Sequence, residues 1–269
     1  MNFLWLNIYN GKYRDFLELI KNPTKRTLVF TPNPEILLRA SRDAEFRDIL
    51  EQADYLTPDA NWLYTGSLMQ DGMGFFHAGL TTLLAKKNLR EKYGELIQWS
   101  NLTRDLVEYA TGENKKILII DNYRIETPKN QFEVEKQKIQ ENIIPLFHEK
   151  LPWLDVVVVF DGEKTPSELA LLIQKESISY VFSCIGMKTQ EQRLIEIFSR
   201  LPEDFPVVWL GVGSSFDYLL GLQKRAPMIF QKLGIEWFYR LIMNPRARWV
   251  RIMDAFWRFP RVVKTPTKD

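Results

Sequence analysis

The 269-residue sequence predicts a fold of the α/β class. Short apolar runs recur along the chain, and segments with helical periodicity separate them. The two clearest runs, residues 116–120 and 154–160, are almost continuously aliphatic, which is typical of strands that helices cover on both faces. Because alternating strands and helices form right-handed crossovers, we predict a Rossmann-like, mostly parallel sheet with helices on both faces.

Two strands are predicted early in the chain, over residues 27–30 and 55–57, and polar residues follow both. In an open α/β sheet, ligands bind at the carboxyl ends of the strands. Thr31 is therefore a candidate hydroxyl for ligand contact, and Asp59 is a candidate general base for a substrate hydroxyl. The alternatives are that Thr31 only closes a turn and that Asp59 caps the following helix.

The remaining elements follow from apolar periodicity and from capping residues. Asn33 and Pro34 are predicted to start one helix, and Asn101 is predicted to cap another. Residues 66–92 show no clear pattern. In chain order, the other predictions are a helix over 11–22, the helix from Pro34 to about Gln52, a strand over 95–99, a helix from Asn101 to Ala110, helices over 132–149 and 165–176, a strand over 178–185, a helix to Arg200 and a strand over 205–210.

A glycine-rich stretch, Gly211–Asp217, follows the last of these strands. Its small residues, Gly211 and Gly213 among them, allow backbone N–H groups to approach a ligand closely, and Asp217 adds a carboxylate. Phe216 stands where a dinucleotide fingerprint would have its third glycine, which disfavours a nicotinamide-dependent oxidoreductase. The alternative is a turn that only packs a strand on a helix.

Gln190 and Glu191 stand at another predicted strand-to-helix connection, where they could bind polar ligand groups. The alternative is a solvated first helical turn. His77 and His148 are isolated, and the sequence has no Asp-x-Asp pair, so we expect no metal site. If the ligand is a nucleotide diphosphate, a reaction without metal would need arginines to neutralise the departing diphosphate, and residues 225–251 contain candidates. The alternative is that these arginines form only a solvated basic face.

The C-terminal segment is basic and aromatic. From residue 237 to the end there are eight Lys or Arg against two Asp. A helix is predicted from Pro245 until Pro260 stops it. One face of this helix is an apolar stripe that contains tryptophans, and arginines lie beside the stripe. Such a basic amphipathic helix suits the interface of an anionic membrane. The stripe consists of Trp249, Ile252, Met253, Phe256 and Trp257. We therefore predict an α/β core over residues 1–234 and a basic amphipathic membrane-association appendage over residues 235–269.

Composition places the chain on one side of a membrane. The lone Cys184 indicates a reducing, cytoplasmic setting. The start of the chain lacks the features of a signal peptide, and no apolar run approaches the roughly 18 to 20 residues that a spanning helix needs. We expect a protein that does not cross the bilayer.

Taken together, these stretches resemble the WecG/TagA/CpsF glycosyltransferases, glycosyltransferase family 26. The resemblance spans roughly residues 27–260 and is most specific in its C-terminal third. The residues that carry it are Thr31-Pro32-Asn33-Pro34-Glu35, Pro58-Asp59, Gly186 with Gln190-Glu191, Gly211–Asp217, Arg225-Ala226-Pro227, residues 233–241 and Pro245-Arg246.

The resemblance implies transfer of a sugar, often of the N-acetylmannosamine type, from a UDP donor to a polyprenyl-diphosphate-linked acceptor in bacterial envelope or exopolysaccharide synthesis. It implies an inverting, metal-independent reaction without a cofactor, at the cytoplasmic face of the membrane and without a nucleic-acid partner, and it leaves room for an oligomer. The implied roles are Asp59 as base, Thr31 as sugar contact, Gln190 as pocket lining, Gly211, Gly213 and Asp217 at the uridine, and Arg225, Arg240 and Arg246 over the diphosphate.

Several positions depart from the family pattern. Trp99 stands where the family has Gly, Asn101 where it has Asp, and Ala60 where it has the Gly of Asp-Gly. A glycine-rich loop after the middle strand is replaced by residues 121–124. These departures motivate a second hypothesis, a degenerate member that binds UDP-sugar or a partner transferase without catalysis.

Overall fold

The computed structural model describes residues 2–3, 6–122, 142–213, 215–222, 226–233, 236–243 and 245–264. The strands are β1 (Asn2–Phe3), β2 (Leu6–Asn7), β3 (Thr27–Phe30), β4 (Tyr55–Leu56), β5 (Ile117–Asp121), β6 (Val156–Phe160), β7 (Tyr180–Ser183) and β8 (Val208–Gly211). The helices are α1 (Tyr13–Lys21), α2 (Pro34–Ala40), α3 (Ala44–Glu51), α4 (Trp62–Gln70), α5 (Phe75–Leu84), α6 (Lys86–Tyr93), α7 (Trp99–Gly112), α8 (residues 142–150), α9 (Pro166–Lys175), α10 (Thr189–Phe198), α11 (Ser215–Leu219), α12 (Met228–Leu233), α13 (Glu236–Met243), α14 (Pro245–Met253) and α15 (Phe259–Lys264), with a π-helical turn at Asp254–Arg258.

Six strands form one sheet in the order β4-β3-β8-β7-β5-β6. The pairings β3–β8, β8–β7, β7–β5 and β5–β6 are parallel, whereas β1 and β2 form a separate antiparallel pair. Helices connect the successive strands of the large sheet. The predicted α/β, Rossmann-like and mostly parallel fold is confirmed.

The chain divides into two compact units. The first unit comprises Met1–Phe16, Phe30–Gln98 and Lys224–Asp269, and the second comprises Leu17–Val29 and Trp99–Gln223. Within the first unit, α15 packs on α2 and α4, and Phe259 is buried there. The predicted boundary between a core ending at residue 234 and an appendage from residue 235 stays a prediction.

The second unit is built around strands that are buried along their length. Every residue of β5, β7 and β8 is buried, as the aliphatic runs predicted. Phe216 of α11 packs against this layer, with its ring 5.3 Å from the Phe182 ring and 5.9 Å from the Phe147 ring between centroids. The turn after β8 is therefore anchored in the core.

In the first unit, a buried tyrosine fixes the turn that follows α6. The Tyr64 hydroxyl donates to the Gly94 carbonyl at 2.6 Å. Gly94 has φ +86°, and a Cβ at this position would overlap the Asn10 carbonyl, so only glycine fits. Burial raises the pKa of Tyr64 to about 12.

The predicted strand over residues 95–99 is wrong. Residues 94–98 form neither helix nor strand, and Trp99 begins α7, so Asn101 lies inside that helix rather than at its cap. The Ile97 N–H donates to the Pro58 carbonyl at 2.7 Å. This contact lies outside the strand ladders and ties the segment to the loop after β4, which local sequence could not reveal.

Capping residues account for the other differences. The N-cap at Asn33 is confirmed, because its Oδ1 accepts from the N–H groups of Glu35 and Ile36 at 2.9 and 3.0 Å. The single helix predicted from Pro34 to Gln52 is wrong, since the Asp43 carboxylate accepts from the Phe46 N–H at 3.1 Å and starts a new helix, α3. Residues 66–92, which gave no clear pattern, contribute to α4, α5 and α6.

The C-terminal segment consists of short helices. Pro260 does not stop a helix as predicted, because α15 follows the π-helical turn without a break and continues past Pro260 to Lys264. Asn244 and residues 132–141 of another predicted helix lie outside the described residues. Over the part of the chain that is described, no helix combines the length and apolarity needed to span a bilayer.

We predict that Tyr64→Phe lowers the free energy of unfolding by about 1 to 2 kcal/mol at neutral pH, because it leaves the Gly94 carbonyl without its buried donor. The pKa of Tyr64 is raised from 10.0 to about 12 in the folded state. The tyrosine's contribution is therefore complete below pH 10 and is lost as the pH rises towards 12, so the difference between the two proteins narrows in that window.

Urea unfolding of both proteins at neutral pH and above pH 10 measures this difference. Tyr109→Phe is the matched control, because the Tyr109 hydroxyl donates to Asn22 at an exposed position. The control should change stability by less than about 0.5 kcal/mol. A constant difference between Tyr64→Phe and the parent at every pH would contradict the prediction.

Candidate active site

Polar residues line the carboxyl edge of three neighbouring strands in the second unit. The parallel registers pair Ile120 with Ser183 and Ser183 with Gly211, so β5, β7 and β8 end side by side. Asp121 is the last residue of β5, and its Oδ1 accepts from the N–H of the next residue at 2.7 Å. The Ser183 hydroxyl is buried and has no hydrogen-bond partner among the described residues. This edge presents hydrogen-bonding groups in an otherwise apolar layer.

Gln190 lies in the first turn of α10, directly against the end of β8. Its side chain is 3% exposed, and its Nε2 donates to the Glu191 carboxylate at 2.7 Å. An ideal Cβ on Gly211 would lie 3.0 Å from this Nε2, so the missing side chain at Gly211 makes room for the amide. The Gln190 Oε1 has no hydrogen-bond partner within the described part of the chain. The amide is therefore held through its donor, and its acceptor is buried.

The Glu191 carboxylate holds this arrangement with both oxygens. One oxygen accepts from Gln190, and the other accepts from the Lys188 N–H at 2.6 Å. Lys188 has φ +69°, a conformation that non-glycine residues rarely adopt. Glu191 is 1% exposed, so the predicted alternative of a solvated first helical turn is wrong for both Gln190 and Glu191.

The turn after β8 places Gly213 beside an aromatic ring. Gly213 has φ +50°, and the ring of Trp99 lies 3.5 Å from where its Cβ would be. Asp217, in α11, is partly buried, and this burial raises the pKa of its carboxyl group. The bulk of Trp99, which stands where the family has Gly, therefore adjoins the glycine-rich turn.

Two carboxylates act electrostatically on Cys184, the residue after β7. Burial raises the pKa of the Cys184 thiol well above its ordinary value, and the negative charges of Asp121 and Asp217 raise it further. Both carboxylates are therefore close to the end of β7. Sequence reasoning did not select Asp121 as a site residue, although its position directly after an aliphatic run was the same signal that selected Asp59.

The first unit contributes its own strand ends. Thr31 follows β3 and is buried, and Asp59 follows β4 and is partly buried. The two strand ends are adjacent, because the Thr57 N–H donates to the Phe30 carbonyl at 2.9 Å. The Thr57 hydroxyl is fully buried and has no hydrogen-bond partner among the residues described. Asn61 stands at the N-cap position of α4 without a side-chain cap hydrogen bond, so the capping alternative for Asp59 stays an alternative.

The side chains of the three arginines predicted to contact the diphosphate all lie outside the described part of the structure. Arg225 lies outside the described residues. Arg240 belongs to α13 and Arg246 to α14 by their backbones, and their side chains are outside the description. Their predicted contacts with a diphosphate stay predictions. Among the described residues, no group of three or more His, Cys, Asp or Glu is placed to hold a metal ion.

Comparison with known proteins gives a consistent result. The sequence model of the glycosyl transferase WecG/TagA/CpsF family matches residues 1–268. Relatives named N-acetylglucosaminyldiphosphoundecaprenol N-acetyl-beta-D-mannosaminyltransferase include one from Bacillus subtilis (strain 168), 24% identical over 100% of this chain and 90% of its own. Those from Bacillus spizizenii and Staphylococcus aureus (strain MW2) are 26% and 23% identical, covering 86% and 85% of this chain and 76% and 75% of their own. The chain is a glycosyltransferase and belongs to the WecG/TagA/CpsF family.

Proposed function

We propose that this glycosyltransferase moves a sugar of the N-acetylmannosamine type from a UDP donor to a polyprenyl-diphosphate-linked acceptor in bacterial envelope or exopolysaccharide synthesis. The observation that carries the proposal is the match of 85% to 100% of the chain to relatives whose name specifies an N-acetylmannosaminyl transfer to N-acetylglucosaminyl-diphospho-undecaprenol. Within each unit, polar residues lie at strand ends, and their hydroxyl, amide and carboxylate groups are of the kinds that such a reaction uses.

Asp59 is proposed as the base. It is a partly buried carboxylate at a strand end, where a ligand hydroxyl can reach it. It takes the proton as the acceptor oxygen forms its bond to the anomeric carbon. The bond between that carbon and the diphosphate oxygen breaks on the opposite face, UDP leaves with the electron pair, and the configuration inverts. Thr31, after the neighbouring strand, is proposed to contact the sugar.

The second unit is proposed to hold the donor. The Gln190 Oε1 accepts a hydrogen bond from an N–H or hydroxyl group of the UDP-sugar, because the Gln190 Nε2 already donates to Glu191. The backbone of Gly211 and Gly213 approaches the nucleotide, and the Asp217 carboxylate accepts from uridine. Arg225, Arg240 and Arg246 are proposed to neutralise the leaving diphosphate, which makes the reaction independent of a metal.

A peripheral position at the cytoplasmic membrane face is proposed for the appendage over residues 235–269, which we call the tail. Trp249 and Trp257 are 57% and 59% exposed and line an open groove of about 310 Å³ together with Met253 and Arg258. Tryptophan beside arginine suits the interface between lipid headgroups and acyl chains. The acceptor's lipid would hold its diphosphate at that depth.

A specific observation supports a second candidate function. The Trp99 ring against Gly213 reduces the space at the proposed uridine site. A degenerate member would bind UDP or UDP-sugar without transferring sugar. Calorimetric titration with a panel of UDP-sugars, followed by turnover assays with lipid-linked acceptors, separates the two. Tight binding of UDP without turnover across the panel would favour the second function.

We expect Asp59→Asn to lower transfer at least about 100-fold and to leave UDP affinity unchanged, because the amide cannot accept the hydroxyl proton. Transfer of labelled sugar to a short-chain lipid-linked acceptor, measured with EDTA present, tests both the base and the metal independence. Asp54→Asn is the control, because Asp54 is an exposed acid that precedes β4. An Asp59→Asn enzyme as fast as the parent would remove the base assignment.

We expect Gly211→Ala to fold normally and to weaken UDP binding about tenfold, a loss of about 1.4 kcal/mol. The new methyl group displaces the Gln190 amide from its position beside Glu191. The control is Gly112→Ala, at the end of α7, where a Cβ would meet nothing within 4 Å. Titration of UDP into the three proteins measures the effect, and equal affinities would show that Gln190 does not contact the nucleotide.

A further inference from the structure

Helix α5 presents an apolar face to solvent. Phe76, Leu80, Leu83 and Leu84 are 88%, 54%, 47% and 77% exposed. Their spacing of four, three and one residues places them on one stripe of the helix. We call these four residues the α5 face. Clustered apolar exposure of this kind marks an interaction surface, whereas singly exposed apolar residues do not.

The opposite side of α5 is firmly packed within the first unit. Ala78 and Thr82 are buried, and the Thr82 hydroxyl donates to the Ala78 carbonyl at 2.8 Å and lies 2.9 Å from the Thr65 hydroxyl of α4. Phe75 stacks on Trp62 with 6.5 Å between ring centroids. The helix is therefore held in place, and the α5 face is its outward side.

The helix that follows α5 in the chain and packs on it is basic. Helix α6 follows α5 after one residue and carries Lys86, Lys87, Arg90 and Lys92 against Glu91 alone. Lys92 pairs with Asp71 at 2.5 Å. Burial lowers the pKa of Lys86, and the positive charge of Arg90 lowers it further, so these two cations lie close together. A negatively charged surface would relieve their repulsion.

Aromatic rings connect the α5 face to the tail. Phe76 contacts Phe75 at 5.5 Å between centroids, and Phe75 stacks on Trp62. Trp62 lies 6.5 Å from Trp237 of α13, which in turn contacts the exposed Phe238 at 5.8 Å. Trp62 is the first residue of α4, three residues after Asp59. Contacts made by α5 and by the tail thus meet at the loop that carries the proposed base.

We propose that the α5 face inserts into the interface of an anionic membrane, with the basic residues of α6 against the lipid headgroups. It is a second membrane contact, separate from the tail. Charge complementarity selects lipid over a second copy of the chain: a two-fold contact through this face would bring the same patch of each copy together, and with it two cationic α6 helices. The membrane contact itself does not depend on the proposed function, and only its expected effect on sugar transfer rests on that function.

Sedimentation of the full chain with vesicles tests the apolar part. Vesicles of phosphatidylcholine alone are compared with vesicles that also contain phosphatidylglycerol. We expect Leu80→Gln/Leu84→Gln to reduce partitioning onto the anionic vesicles at least about tenfold, because two leucine side chains lose their transfer into the interface. The matched control is Leu171→Gln, since Leu171 is 66% exposed in α9 of the second unit and should leave partitioning unchanged.

A charge-reversed variant tests the headgroup contact. We expect Lys87→Glu/Arg90→Glu to lose most of the preference for anionic over neutral vesicles, at least about fivefold per residue. Raising the salt concentration should weaken the parent protein's binding and have little effect on this variant. Lys175→Glu, at an exposed position in α9, is the control. Circular dichroism verifies that every variant is folded.

Two results would overturn the proposal. One is unchanged vesicle partitioning in both double variants. The other is a change in molecular mass by analytical ultracentrifugation with partitioning unaltered, which would show that the α5 face joins two copies. Transfer assays separate this proposal from the proposed function. With a water-soluble acceptor the variants should match the parent, and with a vesicle-embedded acceptor they should be slower, whereas absence of transfer in the parent with either acceptor would count against the function alone.

Discussion

The parallel register of β5, β7 and β8 is the constraint on which the second unit's site depends. It sets Asp121, Ser183 and Gly211 at one edge, and the groups that follow them in the chain are positioned by that edge. Shifting a strand by one residue would move every side chain to the other face of the sheet. Since every residue of these strands is buried, such a shift would force all of their side chains to repack against new neighbours. The same strand register therefore determines both the packing of the core and the positions of the groups at this edge.

Buried polar groups at this edge are satisfied selectively. Glu191 uses both carboxylate oxygens on protein donors, one of them the N–H of a residue in a rare backbone conformation. That arrangement fixes Gln190 in one orientation and leaves its Oε1 unpaired among the described residues. An unpaired buried acceptor costs free energy in the empty protein. A ligand that donates to it recovers this cost, which is one physical origin of tight and selective binding.

Sequence reasoning found the strands whose signals are local. The runs at 27–30, 116–120 and 154–160 needed no tertiary information, and the Asn33 cap follows from side-chain chemistry alone. The strand predicted at 95–99 failed because Trp99 begins α7 and Ile97 bonds to a residue almost forty positions earlier in the chain. The prediction that Pro260 ends a helix failed because the helix continues past it after a π-helical turn, which the local sequence does not reveal. The influence of Asp121 and Asp217 on Cys184 was not predicted, because it comes from strand order, which spacing along the chain does not encode.

The protonated state of the Cys184 thiol has a practical consequence. Alkylating reagents and oxidants attack the thiolate, and the raised pKa of the Cys184 thiol disfavours that form. Because the chain has a single cysteine, a second one introduced on an exposed helix would react with maleimide dyes almost alone. Comparing the labelling rates of the two thiols would therefore report how far the surroundings of Cys184 suppress its reactivity.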